Sequence, residues 1–238
     1  MASTYYFLPT RNVFGEGSSA EAGTLLKTLN AKKTLIVTDK FLASCGMAGK
    51  IQAIFEEVGI QATVFDGAEP NPTDKNVEAG LEAYRANGCD SIVSLGGGSS
   101  HDCAKGIGLV AANGGEIYDY EGVDKSKNDM VPLMAINTTA GTASEITRFC
   151  IITDTRRKVK MAIVDWKVTP QISINDPELM KGMPAGLTAA TGMDALTHAI
   201  ESYITPGAWV MSDMFELKAI EMIAQNLKAA VDNGKDVA

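Results

Sequence analysis

The chain has 238 residues, 45% of them apolar and 21% charged, a balance that supports a buried core and excludes intrinsic disorder, collagen and the small disulfide scaffold. Lys and Arg number 21 against 29 Asp and Glu, a formal charge of −8, and no long basic run offsets it, so no nucleic-acid partner is expected. No run approaches the ~20 apolar residues that cross a bilayer, and Met1-Ala2-Ser3-Thr4-Tyr5 has neither a basic leader nor an apolar signal segment, so the expectation is a cytoplasmic protein with no membrane partner.

From Lys33 to Ser100 short β-branched runs alternate with amphipathic stretches, the pattern of a parallel sheet joined by crossover helices. Residues 34–38 form a strand. Met47, Ile51, Ile54, Phe55 and Val58 then recur at steps of three and four along one helix face, which Gly59 ends. Residues 62–65 form the second strand. Thr73 caps a helix whose inner face carries Val77, Leu81 and Tyr84 until Asn87-Gly88 stops it, and residues 91–95 form the third strand. Leu133 to Asn137 reads as another buried strand, residues 149–153 and 158–164 as a hairpin, and residues 171–175 as a further strand. After Asp176 the chain becomes rich in Ala, Leu, Met and Glu, with Leu217, Ile220, Ile223, Leu227 and Val231 as a helical stripe. The boundary is therefore placed there, with an α/β domain over 1–176 and a helical region over 177–238. Cys45, Cys89, Cys103 and Cys150 show no Cys-x-x-Cys spacing and are expected as buried, reduced thiols.

Three constellations carry candidate chemistry. Gly96-Gly97-Gly98-Ser99-Ser100 follows a strand and opens a helix expected to begin near His101. Bare peptide N–H groups at a helix N-terminus suit a diphosphate, although glycines also serve tight turns. The run fits neither G-x-G-x-x-G, which needs Gly where His101 stands, nor a Walker A loop. Asp39, ending the first strand, either accepts the hydroxyls of an adenine ribose or caps the segment after it. Asn137 to Glu145 packs hydroxyls and small residues into a turn at a strand end. Asp194 and His198 stand four apart in Gly192-Met193-Asp194-Ala195-Leu196-Thr197-His198, so on a helix they share a face. There they either bind a cation such as Fe²⁺, Zn²⁺ or Mn²⁺ or bond to each other.

Taken in order, Asp39, the glycine triplet with Ser99, Asp102 and Lys105, then Thr138-Thr139-Ala140-Gly141-Thr142 with Glu145, then Gly192 to His198 resemble the iron-containing, or group III, alcohol dehydrogenases. The likeness runs from about Val13 to the last residue. It implies an N-terminal dinucleotide-binding α/β domain with a parallel sheet, followed by the beginning of an all-α helical domain, in the dehydroquinate synthase-like architecture. NAD and a divalent metal, usually iron, would lie between the domains. Carried over, Gly96, Gly97, Gly98 and Ser99 would hold the diphosphate, Asp39 the adenine ribose and Asn71 the adenine side. Asp102, Thr138, Thr139, Thr147 and Lys160 would border the ribose and nicotinamide.

Asp194 and His198 match two of that family's four metal ligands. The other two are histidines farther along than Ala238, so weak metal binding is expected of these residues alone. The implied activity is metal-assisted hydride transfer between NAD and a short primary alcohol or diol, such as 1,3-propanediol, and its aldehyde. The same likeness implies a homo-oligomer with Tyr5-Tyr6-Phe7 at a contact. Two other readings stand beside it: a catalytically silent NAD-binding or oligomer-forming module, and, fitting less well, a lyase such as dehydroquinate synthase.

Overall fold

The computed structural model describes residues 6–235, so Tyr5 of the expected contact lies outside the described residues. In chain order the elements are β1 (Arg11–Phe14), α1 (Ala22–Lys27), β2 (Lys33–Val37), α2 (Lys40–Ser44), α3 (Met47–Glu57), β3 (Gln61–Phe65), α4 (Asp74–Ala86), β4 (Ser91–Gly96) and α5 (Gly98–Asn113). They continue with β5 (Gly122–Val123), β6 (Leu133–Asn137), β7 (Phe149–Asp154), β8 (Val159–Val164), β9 (Ile172–Asn175), α6 (Ala185–Ile204) and α7 (Val210–Asp232). The chain forms two compact units: Met1–Asn137 with Ser144–Asp176, and Thr138–Ala143 with Pro177–Ala238.

In the first unit six strands pair in the order β1-β9-β6-β4-β2-β3, every pairing parallel. Their central residues, among them Leu35, Ile36, Val37, Ile92, Val93, Leu95, Met134 and Ile136, are fully buried. Such near-continuous apolar runs, interrupted in β4 by the buried Ser94, belong to a sheet covered on both faces, where strict alternation would put a polar side chain at every second position of the core. Thr73 caps α4 as expected, its hydroxyl accepting from the backbone N–H of Asn76 while the Asn76 side-chain oxygen accepts from Thr73 N–H. A smaller sheet, β5-β8-β7, holds the predicted hairpin.

Two expectations are corrected, and one strand was not foreseen. The helix after the glycine triplet begins at Gly98, three residues before His101, with Gly97 as its N-cap. Position N1 makes no intrahelical N–H bond, so Gly98 costs little there. Cys45 is exposed and Cys89 half-buried, leaving only Cys103 and Cys150 as buried thiols. An additional edge strand, β1, pairs with β9. The Asp176 carboxylate ties that edge together by accepting from Gly17 N, Ser19 N and the Ser19 hydroxyl.

In the second unit α6 and α7 pack against one another, joined by a hydrogen bond from the Ser202 hydroxyl to the buried Glu216 carboxylate. The turn 138–143 clusters with these helices. A Cβ at Gly141 would stand 2.6 Å from the Thr191 carbonyl oxygen, so only glycine lets that turn lie against α6. Among the described residues no helix is long and apolar enough to cross a membrane.

Candidate functional site

Parallel strands bring all their carboxyl ends to one rim, and the connections decide where that rim opens. β2 lies between β3 and β4. The chain therefore leaves β2 for one side through β3, crosses to the other through β4, and continues outward to β6. This reversal makes a crevice at the ends of β2 and β4, the usual place for a ligand in an open α/β sheet. Asp39 follows β2 there, and Gly96-Gly97-Gly98 carry the chain from the end of β4 into α5.

The glycine turn is built for bare backbone. Gly96 has φ +147°, and a Cβ on it would lie 2.4 Å from Ser100 Oγ. Gly97 caps α5 without any side-chain acceptor for the first-turn N–H groups, which leaves a partial positive charge at the helix end. Ser99 Oγ accepts a hydrogen bond from the backbone N–H of Asn71 at 3.3 Å. Asn71 is held at φ 55°, and its carbonyl accepts from Thr153 Oγ1 at 3.4 Å. Lys160 stands opposite Thr153 in the β7–β8 ladder, exposed. Asn71, Ser99 and Thr153 are thus joined, with Lys160 one strand away. Asp39 caps α2, Oδ1 accepting from Leu42 N at 2.9 Å, while among the described residues no hydrogen bond occupies Oδ2. Its two readings are compatible, because capping uses only one oxygen.

Behind this rim lies a polar cluster. Lys105, fully buried, donates from Nζ to Ser144 Oγ at 3.0 Å, to the Thr147 carbonyl at 3.0 Å and to the Phe149 carbonyl at 2.7 Å. Asp102 accepts from the Ser144 hydroxyl at 2.7 Å and from Ile151 N at 3.2 Å, so both of its oxygens are engaged within the protein. Burial pushes the Asp102 carboxyl up and the Lys105 amine down, each opposed by the other's charge. The sequence motif contained both residues, but nothing in it showed that Lys105 pins the segment carrying Thr147. Also unforeseen is His101, wholly buried between Ser94 and Asn137. The only sequence signal was a serine within the apolar run of β4.

In the second unit α6 presents Asp194 Oδ1 and His198 Nε2 3.7 Å apart, both side chains about half exposed. Two ligands about 2.1 Å from one cation stand roughly 3 Å apart, so a small rotamer adjustment would let both reach it. Among the described residues no group of three or more His, Cys, Asp and Glu is placed to hold a metal ion. Thr138 is buried and Thr139 half-buried in the turn of that same unit.

Residues 9–177 match iron-containing alcohol dehydrogenase, and residues 188–238 match the C-terminal part of the Fe-containing alcohol dehydrogenase family. The chain belongs to the iron-containing alcohol dehydrogenase family. It is 54% identical over 236 residues to alcohol dehydrogenase 4 of Schizosaccharomyces pombe, covering 99% of this chain and 56% of that protein. It is 50% identical over 234 residues to the NAD-dependent methanol dehydrogenase of Bacillus methanolicus, covering 98% and 61% respectively. The crystal structure of a 1,3-propanediol oxidoreductase superposes with a TM-score of 0.96 at 48% identity, covering 99% of this chain and 62% of that one. The chain therefore spans about three fifths of the length of these iron-containing alcohol dehydrogenase relatives.

Within this family frame the observed residues fit both groups. The uncapped helix end beside a glycine that tolerates no side chain suits a dinucleotide's anionic bridge. The carboxylate and imidazole on α6 are a donor set for a divalent cation, supplying two of its ligands.

Proposed function

We propose that the chain carries the NAD-binding domain, residues 1–176, and the first part of the helical metal-binding domain, residues 177–238, of an NAD-dependent dehydrogenase. Its reaction interconverts a short primary alcohol or diol, such as 1,3-propanediol, with the aldehyde. The observation that carries this reading is the meeting of Asp39 and Gly96–Ser99 at the strand reversal of a parallel sheet, in a chain of this family.

In this reading the N–H groups of Gly98 and Ser99 receive the diphosphate, and Asn71, held by Ser99, borders the adenine. Asp39 uses its uncommitted oxygen to accept from the ribose hydroxyls, and its charge opposes the extra phosphate of NADP, so NAD is preferred. Asp102, Thr138, Thr139, Thr147 and Lys160 border the ribose and nicotinamide. Asp194 and His198 hold the divalent cation, iron by kinship with the family. When bound there, the cation would supply Lewis-acid polarisation for the substrate oxygen and the nicotinamide would supply the hydride acceptor. The chain's own part is to bind and orient, so no nucleophilic triad is required. The reading places the protein in the cytoplasm as a homo-oligomer.

The test supplies the protein with Fe²⁺, NAD and 1,3-propanediol and follows NADH absorbance. Because these residues supply two metal ligands, weak turnover is expected, with Asp194→Ala lowering it by about 100-fold or more. Turnover that survives this substitution overturns the metal assignment. NAD binding with no turnover favours instead a silent dinucleotide-binding module, a reading motivated by the two ligands that the described residues bring together.

A further inference from the structure

A single file of side chains crosses β4, β6, β9 and β1 at the sheet's carboxyl ends, and its polarity is fixed from its far end. The Thr10 carbonyl can only accept, so Asn12 turns its amide nitrogen to it, Nδ2 to O at 3.0 Å. Asn12 Oδ1 is then the acceptor for the Ser173 hydroxyl at 2.6 Å. With its proton committed, Ser173 Oγ accepts from Asn175 Nδ2 at 3.3 Å, and Asn175 Oδ1 accepts from Asn137 Nδ2 at 3.1 Å. Asn137 thereby presents Oδ1 to His101 Nε2 at 3.4 Å. An oxygen acceptor facing a ring nitrogen requires a proton there, so Nδ1 is bare and accepts from the Ser94 hydroxyl at 2.8 Å. Reversing any link would propagate until Asn12 Oδ1 faced the Thr10 carbonyl oxygen.

His101 lies in the first turn of α5, its N–H donating to the Gly97 carbonyl at 3.1 Å. Ser94 stands two residues before Gly96, and Asn137 is the register partner of Gly96. The ring therefore braces the glycine turn from both neighbouring strands. We propose that His101 is a positioning residue: its Nε2–H tautomer, dictated by the relay, clamps the first turn of α5 to β4 and β6 and so preorganises the N–H groups of Gly98 and Ser99. The inference rests on the cofactor reading of those N–H groups given above. Being wholly buried, His101 touches no ligand. Its contribution is geometry, which raises affinity by removing an ordering cost from binding.

The experiment uses the whole chain and two readouts. Ring ¹⁵N NMR of histidine-labelled protein, with the second imidazole removed by His198→Gln, is expected to show His101 protonated at Nε2 and bare at Nδ1. Ser173→Ala cuts the relay three links away and is expected to allow both tautomers. Calorimetry with ADP-ribose, which carries the diphosphate without the nicotinamide, is expected to show His101→Phe binding about tenfold more weakly. His101→Gln, which can still donate to Asn137, should stay within about threefold of the unmodified protein. An Nδ1–H ring, a ring unchanged by Ser173→Ala, or His101→Phe binding as tightly as the unmodified chain overturns the proposal while leaving the cofactor reading intact. No ADP-ribose binding by the unmodified chain overturns that reading and this inference with it. Should His101→Phe not fold, the NMR comparison with Ser173→Ala decides alone.

Discussion

His101 ties local chemistry to stability as well as to geometry. Burial, reinforced by the nearby positive charge of Lys105, lowers its pKa from 6.5 to about 3. In the unfolded chain the same ring titrates near 6.5, so between these values unfolding takes up a proton that the native state refuses. Stability is therefore lost as pH falls from about 6.5 toward 3, by roughly 1.4 kcal/mol per pH unit, and above 6.5 this group imposes no loss. Urea unfolding measured at several pH values should give a slope against pH that is shallower by about one proton in His101→Gln. An equal slope in the two proteins would show that the ring is protonated in the native state. None of this was legible in the sequence. The bonds that make the relay join residues up to 161 positions apart, and such pairs have no period or spacing to betray them. Asp39 was legible in kind, since both its cap and its ribose role follow from an acid at a strand end. Only the structure shows that one oxygen serves the first and leaves the other.

The strands at 33–37, 61–65, 91–96 and 133–137 were readable because a parallel sheet draws on short β-branched and apolar runs separated by amphipathic stretches. α7 was readable from its helical periodicity, and the region of α6 from a composition rich in Ala, Leu and Met. β1 was not: Arg11-Asn12-Val13-Phe14 is short and half polar, and its strand character comes from pairing with β9. The allocation of residues 138–143 to the helical unit was equally hidden, because a Ser/Thr-rich turn looks the same wherever it packs. Gly141 gives that placement a test. An added methyl would meet the Thr191 carbonyl oxygen at 2.6 Å and Thr191 Cβ at 2.8 Å, and backbone there cannot step aside cheaply. Gly141→Ala should cost about 1–3 kcal/mol of stability, read by chemical denaturation. An unaltered midpoint would mean that the turn does not rest on α6.

Across the molecule, apolar side chains are unevenly exposed. On α6 and α7, Ile204, Val210, Met214, Phe215 and Leu217 all stand more than half exposed. A concentration of this kind marks a surface that associates, so light scattering on the purified chain should show a mass above that of one protomer, rising with concentration. A single species of 25.2 kDa across the range would count against it. At the other end of the chain Tyr6, Phe7 and Leu8 are also more than half exposed, although Phe7 packs edge-on against Trp166, whose ring carries the Arg148 guanidinium at 4.2 Å.

The register of β1 on β9 sets the timetable of synthesis. Arg11 leaves the ribosome early, yet its partner Ile172 is added 161 residues later, an interval on the order of ten seconds at ordinary elongation rates. Throughout that wait the first strand has no template, and the nascent sheet must assemble from its opposite border, where β2 pairs with β3, through β4, β6 and β9, closing this border last. Slowing translation just before residue 172 would prolong the vulnerable period, and nascent chains arrested there should be open to proteolysis near Arg11, whereas chains extended past the ninth strand should resist it.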